Sequence, residues 1–329
     1  MEKLKMSFKS YDKNIIMLLG IAVLIVVVMS IISPSFLTGS NISSMAFQFP
    51  ELGILCFGMM LCLISGGIDL SVVGTANLSA IVAAVVILGT GKSTGSIVLA
   101  IIAALAVGAI CGLFNGYLIG QFQIPAMLVT LSGLQLYTGL GMAITKGPAI
   151  TGLPDALQVI GNGAVLKIIP ISLIIFVLIA LGVNFILKYT ILGKHLSFIG
   201  FNDRASRYAG INNLKVIMLT YMISGILAAI AGIIIVSHYG SAKSDYGSSY
   251  TLLTLLIVVL GGVAPSGGKG KVSGVALAVI ILQIISSSFN LLQFNAFIKT
   301  IIWGLLLLII MIVKSVIQEN SIKFKERKS

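Results

Sequence analysis

The chain has 329 residues, of which 58% are hydrophobic and 9% are charged, and its formal net charge at pH 7 is +12. A soluble globular domain carries roughly a quarter charged residues, so this composition excludes an ordinary soluble protein and indicates an integral membrane protein. The basic residues lie in short stretches between apolar runs and do not form an aromatic-interleaved basic domain, so we expect no nucleic-acid partner.

Apolar stretches long enough to cross a bilayer as helices recur along the whole chain. Helices are expected because they satisfy their own backbone hydrogen bonds inside a membrane. We therefore predict an all-α integral membrane protein with about ten transmembrane helices in a polytopic domain over residues 15–313. The predicted segments are 15–32, 43–64, 71–88, 96–118, 124–144, 168–187, 216–237, 251–263, 272–291 and 297–313.

Two of these segments are predicted to be irregular. Segment 43–64 contains Pro50 and Glu51, and proline lacks the backbone donor that a helix interior needs, so this helix should break or begin late. Segment 251–263 is too short to cross the bilayer upright. Short or broken segments at membrane depth pack against protein or line a cavity, so both are candidate pathway elements.

The distribution of Lys and Arg predicts the orientation. With the N-terminus inside, the cytoplasmic side holds the tails 1–14 and 314–329 and the connections 65–70, 119–123, 188–215 and 264–271. Of the 21 basic residues, all lie on that side except Lys299, which is near a helix end, and Lys92, Lys146, Lys167 and Lys243. Cytoplasmic loops are rich in Lys and Arg, so both termini are expected in the cytoplasm.

A stripe of small residues runs along the fourth segment. Glycine recurs at every fourth position, at Gly108, Gly112, Gly116 and Gly120. A similar stripe of small residues lies within segment 216–237. Such faces let two helix backbones approach closely, either within one chain or at a subunit interface.

The connection 188–215 contains the signals of a short helix. Asn202 is predicted to cap a helix over residues 203–209, and Gly210 is predicted to end it. We interpret this helix as a docking surface for a soluble partner; the alternative is a simple interfacial helix.

The side chains of that short helix support an exposed position. Asp203 and Arg207 are spaced four apart and are expected to form an ion pair. Arg204 lies beside them, and Ala205 with Ala209 gives a small, flat side.

No catalytic, metal or cofactor site is expected in this chain. Gly91-Lys92-Ser93 resembles the end of a P-loop, but the motif requires glycine at position 86, where the chain has Val. His195 and His238 are far apart in the sequence and do not form a metal-ligand pattern.

The stretch LISGGIDLS at residues 63–71 contains Asp69, the single acidic residue between Glu51 and Asp155. On the predicted topology Asp69 lies at the cytoplasmic end of the second segment, near water. Gly66 and Gly67 are expected to turn the chain.

Three roles remain open for Asp69. Asp69 or Ser71 can stabilise the start of the next helix, where an anion meets the positive end of the helix dipole. Alternatively, Asp69 pairs with Lys269 or Lys271 to form a cytoplasmic gate, since these lysines follow a similar turn at Gly261 and Gly262. The third possibility is a proton or ion site.

Polar residues inside the predicted spans are candidates for the translocation path. They are Asn77, Asn115, Thr130 and Gln135. Each of them is also suited to cross-bracing two helices through hydrogen bonds.

Several motifs resemble those of the permeases of ribose/galactose/xylose-type ABC importers. The signature GGIDLS lies at residues 66–71, and further matching stretches follow in the order typical of that family over residues 41–292. The further matches are Asn115-Gly116, Ile124-Pro125-Ala126 with Thr130-Leu131, the loop 200–211 and the glycine-rich turn 261–270. The chain departs from the family pattern at Val73, at Ala76-Asn77 and at Ser206, so the substrate is not carried over.

This resemblance implies a permease that forms a homodimer, or pairs with a related permease, in a bacterial plasma membrane. It implies delivery of a sugar by an extracytoplasmic binding protein and alternating access driven by cytoplasmic subunits that bind the ATP. The implied contact with those subunits comprises Gly200, Asn202, Asp203, Arg204, Ala205, Arg207 and Gly210.

The alternative function is an ion-gradient-driven secondary transporter of a small polar solute. Such a transporter would be expected to have an acidic or basic residue near the membrane midplane, and no such residue is apparent from the predicted segments.

Overall fold

A computed structural model of the protein describes residues 13–166, 169–295, 297–309 and 312. The predicted tails 1–14 and 314–329 therefore lie mostly or wholly outside the described residues. The helices are α1 (Lys13–Ile32), α2 (Gly39–Ile64), α3 (Val72–Gly89), α4 (Thr94–Phe122), α5 (Ala126–Thr145), α6 (Asp155–Asn162), α7 (Ile171–Tyr189), α8 (Ile191–Phe201), α9 (Asp203–Tyr208), α10 (Asn213–Tyr239), α11 (Tyr250–Leu260), α12 (Val272–Leu291) and α13 (Phe297–Ile309).

Eight of the described helices are long and apolar enough to cross a membrane, and three shorter apolar helices accompany them. The all-α membrane class is thus confirmed, while the total of ten helices and the side of the termini remain predictions. Only 11% of the residues in the membrane-length apolar stretch of α1 are buried, whereas 83% of those in the corresponding stretch of α2 are buried. Because burial differs so strongly, α1 lies at the lipid-facing periphery and α2 lies inside the helix bundle.

The course of α2 differs from the prediction. The helix begins at Gly39, because Thr38 accepts a hydrogen bond from the backbone N–H of Asn41 and caps it. It then continues through Pro50, so the expected break is wrong. Pro50 is buried against neighbouring protein, an environment in which a membrane helix tolerates the loss of one backbone hydrogen bond.

Other boundaries follow the apolar pattern closely, with three omissions. α12 has the predicted bounds, and α11 spans 11 residues, which confirms that it is too short to cross upright. The prediction missed α6 and α8, which flank membrane segments. It also missed a small antiparallel pair of strands, β1 (Ala164–Val165) and β2 (Ile169–Pro170).

The glycine stripe of α4 packs against α10 within the chain. Gly112 lies against the carbonyl oxygen of Tyr221, and Gly108 lies against the carbonyl oxygen of Gly225. At both glycines an added Cβ would overlap backbone atoms of α10. The stripe therefore serves intramolecular packing, and the alternative of a subunit interface is wrong for this face.

The small residues of α10 serve two other neighbours. Gly232 lies against the backbone of Ala76 in α3, and Ser224 lies against Gly58 in α2. Helix α10 is therefore enclosed by α2, α3 and α4, which places it at the centre of the bundle.

We predict that Gly112→Ala destabilises the protein by about 1–3 kcal/mol, because its Cβ would overlap backbone rather than a flexible side chain. Gly139→Ala in α5 is the matched control, since a Cβ there meets nothing within 4 Å. Thermal unfolding of the two purified variants in the same detergent measures the difference. Equal melting temperatures for Gly112→Ala and Gly139→Ala would show that α4 and α10 are not in close contact.

Candidate functional site

The GGIDLS turn joins α2 to α3 inside the protein rather than at its surface. Asp69 is only 3% exposed and contacts Ser224 of α10. Ser224 lies about three helical turns beyond Asn213, the first residue of α10. The expectation that Asp69 lies near water is therefore wrong, because α10 and the segments around Gly200 and Gly268 enclose the turn.

Both carboxylate oxygens of Asp69 accept hydrogen bonds. Oδ1 accepts from the backbone N–H of Ser71 at 3.1 Å and from its hydroxyl at 2.5 Å, and Oδ2 accepts from the Ser224 hydroxyl at 2.8 Å. Hydrogen bonds to a charged group contribute about 1.5–3 kcal/mol each, and a buried carboxylate without them is costly. Asp69 thus joins the turn to α10 across 155 residues of sequence.

The side chain of Ser71 has a different role from the one expected. Although Ser71 occupies the N-cap position of α3, its side chain makes no capping hydrogen bond. Its hydroxyl instead donates to Asp69 and accepts from Asn115 Nδ2 at 2.8 Å. The Asn115 Oδ1 in turn accepts from the Tyr137 hydroxyl at 2.8 Å. A buried hydrogen-bond network therefore runs from α10 through the turn to α4 and α5.

A second bond holds the turn to α5. The Thr130 hydroxyl lies within hydrogen-bond distance of the carbonyl oxygens of Ile68 (2.9 Å) and Ala126 (2.8 Å). Thr130 and Asn115, both predicted path residues, are 0% and 1% exposed. In this conformation both residues brace the turn against its neighbouring helices.

The other two predicted path residues differ from each other. The Asn77 amide of α3 donates to the carbonyl oxygens of Ser244 and Tyr246, at 3.0 and 2.8 Å, so it braces the α10–α11 connection. Gln135 is exposed on α5. A path role for these residues remains a prediction.

Three separate parts of the chain meet beside the GGIDLS turn. The backbone N–H of Gly268 donates to the carbonyl oxygen of Ile64 at 2.8 Å, and Gly200 at the end of α8 touches both of these groups. A side chain at Gly200 would overlap this backbone. The structure therefore brings the turn, the segment before α9 and the glycine-rich turn 261–270 into direct contact.

The structure does not support a cytoplasmic gate in which Lys269 pairs with Asp69. The ammonium of Lys269 lies 5.6 Å from the centre of the Phe201 ring, while Asp69 is engaged by serines. Lys271 immediately precedes α12. In the same turn, Gly261 packs against the backbone of Val275. Gly262 has φ +93°, a conformation that favours glycine.

The predicted short helix is confirmed as α9. Asn202 Oδ1 accepts from the backbone N–H of Ala205 at 3.0 Å, and Arg207 pairs with Asp203 at 2.9 Å. Gly210 ends the segment with φ +80°. The local structure is therefore as expected, while contact with an ATPase stays a prediction.

Asn213 was missed as a supporting residue of α9. Its amide donates to the carbonyl oxygen and the carboxylate of Asp203, at 3.0 and 2.7 Å, and it shares a hydrogen bond with Ser206. Because Asn213 is the first residue of α10, these bonds fasten α9 to the central helix. Only its position next to the predicted helix could have identified it.

A cavity of about 400 Å³ lies between α9 and the GGIDLS turn. Its lining includes Gly66 and Gly67 of the turn, Arg204 and Arg207 of α9, and Tyr221 of α10. Open space therefore lies between α9 and the interior turn.

We predict that Asp69→Asn folds and keeps most of the transport activity, because the amide oxygen can accept from Ser71 and the Ser224 hydroxyl can rotate to accept from the amide N–H. Asp69→Leu leaves three buried donors without an acceptor and should lose several kcal/mol of stability. Yield after detergent extraction, thermal unfolding and uptake measure the two variants side by side. A well-folded Asp69→Asn protein without transport would instead show that the charge is required.

Comparison with known proteins identifies the family. Residues 41–313 match the family described as the permease component of the branched-chain amino acid transport system. The chain is 34% identical to the ribose import permease of Bacillus subtilis, covering 88% of this chain and 89% of that protein. It is 33% identical to the autoinducer 2 import system permease of Enterobacter sp. (91% of each chain) and 33% identical to the L-arabinose transport system permease of Escherichia coli (85% and 84%).

No solved structure matches this chain. The family match nevertheless covers well over half of the sequence and includes the GGIDLS turn, α9 and the glycine-rich turn. The resemblance seen in the motifs is confirmed: this multi-pass protein of the plasma membrane belongs to the family of transport-system permease components.

Proposed function

We propose that this protein is the transmembrane permease subunit of an ATP-driven importer of a sugar or sugar-like solute. Support comes from its family and from relatives named for the import of ribose, autoinducer 2 and L-arabinose. The single observation that carries the proposal is α9, an exposed short helix fastened to the central helix by Asn213.

The geometry of α9 suits transmission of force from a soluble ATP-binding subunit. Tyr208 is 94% exposed, and Arg204, Ala205 and Arg207 are exposed beside it. A partner that grips this face moves α10 as well, because Asn213 and Ser206 tie the two helices together. ATP binding by the partner shifts the permease only if the partner contacts the two conformations differently, and α9 offers such a contact.

Movement of α9 also reaches the interior turn. Gly200, next to α9, touches Ile64 and Gly268, and the turn that follows Ile64 contains Asp69. Displacement of α9 therefore changes the support of the turn that joins α2, α4, α5 and α10. In this proposal that displacement opens and closes the pathway, with no ATP bound and no reaction catalysed by the permease itself.

The solute path is proposed to lie between two permease chains, either identical or related, that receive solute from an extracytoplasmic binding protein. The three relatives are named for different solutes, so the proposed substrate class stays at sugar or sugar-like molecules. Asn77, which departs from the family pattern, braces the α10–α11 connection.

The secondary-transporter alternative predicts an acidic or basic residue near the membrane midplane. Two acidic residues of the spans and their connections, Asp69 and Glu51, are buried at 3% and 2% exposed. Family membership and α9 still favour the ATP-driven importer. A secondary transporter would take up solute from reconstituted vesicles without an ATP-binding subunit.

We predict that Arg204→Glu abolishes binding of the ATP-binding subunit and reduces uptake at least tenfold. The variant reverses a charge on the exposed face of α9 but leaves the Asp203–Arg207 pair intact, so folding should be preserved. Copurification of the ATP-binding subunit, permease-stimulated ATP hydrolysis and solute uptake are measured on the reconstituted complex.

Lys146→Glu is the matched control, because it makes the same charge change at an exposed position at the far end of α5. It should leave binding of the ATP-binding subunit unchanged. Normal copurification and normal uptake in Arg204→Glu would remove α9 from the interface and with it the main structural support for the proposal.

A further inference from the structure

A buried acid–imidazole pair lies at the end of α10 opposite α9. Glu51 of α2 and His238 of α10 are 187 positions apart in sequence, yet Glu51 Oε2 and His238 Nδ1 are 3.7 Å apart. Asn213 and His238 are separated by about 38 Å along α10, at 1.5 Å per residue. The fold therefore gives His238 an acidic neighbour that its position in the sequence does not reveal.

The two facing atoms of this pair have unused hydrogen-bonding capacity. Glu51 Oε1 accepts from the Tyr250 hydroxyl at 2.9 Å, whereas Glu51 Oε2 and His238 Nδ1 are buried without a hydrogen-bond partner among the described residues. At 3.7 Å the two atoms are too far apart for a good hydrogen bond. An unpaired buried carboxylate oxygen is costly, so this geometry points to a ligand that completes it.

The size of the adjoining cavity limits what that ligand is. The cavity has a volume of about 110 Å³ and is lined by polar groups of Gln48, Glu51, His238 and Tyr250 and by the Trp303 ring. Since a water molecule occupies about 30 Å³, it holds about three or four waters and is far smaller than a ligand pocket of about 300 Å³ or more. A sugar does not fit, whereas water, a proton or a small cation does.

The ionisable groups around the pair favour a proton. Besides Glu51 from α2, these groups are His238 and Tyr239 of α10 and Tyr250 of α11. Tyr246, in the connection between α10 and α11, stacks on Tyr239 with the ring centres 4.8 Å apart. The lining residues from α12 and α13 are Leu282, Gln283, Ser286 and Trp303, which carry no charge. A single carboxylate beside a titratable imidazole is a poor cation cage but a suitable place to hold one proton.

We propose that Glu51 and His238 together bind a proton. A neutral imidazole that takes up a proton from water donates from both ring nitrogens, so Nδ1 then donates to Glu51 Oε2. The side chain of His238 is 23% exposed and that of Glu51 is 3% exposed, so the imidazole connects an accessible edge with the buried carboxylate. The protonated pair joins α2 to α10 by a charge-assisted hydrogen bond, shorter than the present separation.

The test uses the fact that the chain has only two histidines, His195 and His238. In full-length His195→Gln permease, labelled with ¹⁵N-histidine and held in detergent, the one imidazole signal belongs to His238. We expect this signal to titrate, and we expect Glu51→Gln in the same background to lower its proton affinity about tenfold, because the opposing charge is lost.

Asp203→Asn is the matched control, since it makes the same charge change at the other end of α10 and should leave the titration of His238 unchanged. An imidazole that does not titrate, or one whose proton affinity changes less than twofold in Glu51→Gln, would overturn the proposal. A signal that shifts when sodium chloride replaces choline chloride at constant pH would also overturn it, in favour of a cation.

A second measurement does not require Glu51→Gln to fold. The protonated pair adds stability at acidic pH, and this gain is lost as the pH rises and the imidazole deprotonates. Raising the pH from 5.5 to 8 should therefore lower the melting temperature of His195→Gln more than that of His238→Gln. The same pH dependence in both variants would contradict the proposal. Neither measurement depends on the transport function of the protein.

Discussion

The buried carboxylate of Asp69 holds several helices of the bundle together at one point. Asp69 lies in the turn between α2 and α3, enclosed by protein, and an ionised side chain in that position is stable only with hydrogen bonds to both oxygens. Ser71 and Ser224 supply them, and Asn115, Tyr137 and Thr130 extend the network to α4 and α5. Helices from distant parts of the sequence are therefore held at one point, which is also where the signature motif lies.

Close backbone contact connects this point with the exposed helix α9. Small residues let α4 and α3 approach α10 directly, while Gly200 lets the segment before α9 rest on Ile64 and Gly268. A side chain at these positions would separate the elements. Asn213 then connects α9 to the first turn of α10. Helix α9 and the buried carboxylate thus share the same support, as the proposed coupling to an ATP-binding subunit requires.

Much of this architecture was predictable from local sequence, and its long-range contacts were not. Apolar runs predicted the long helices because side chains that face lipid must be apolar. Asn202 and Gly210 predicted α9 because the signals that begin and end a helix are local in sequence. The predicted position of Asp69 near water was wrong, since an apolar run shows where a helix ends but not which elements cover that end. The pairing of Glu51 with His238 escaped prediction because the fold brings them together across 187 positions. α8 was missed as well, since Lys194 and His195 interrupt its apolar pattern.

The most direct test of the Asp69 network is a double-mutant cycle between Asp69 and Ser224, scored by unfolding free energy in detergent. The cycle compares Asp69→Val, Ser224→Ala and the double variant with the unmodified protein. Because the Ser224 hydroxyl donates to a buried carboxyl oxygen that has no other donor among the described residues, we expect a coupling free energy of about 1–3 kcal/mol between the two sites. Effects that add to within about 0.5 kcal/mol would show that Asp69 does not hold the turn to α10.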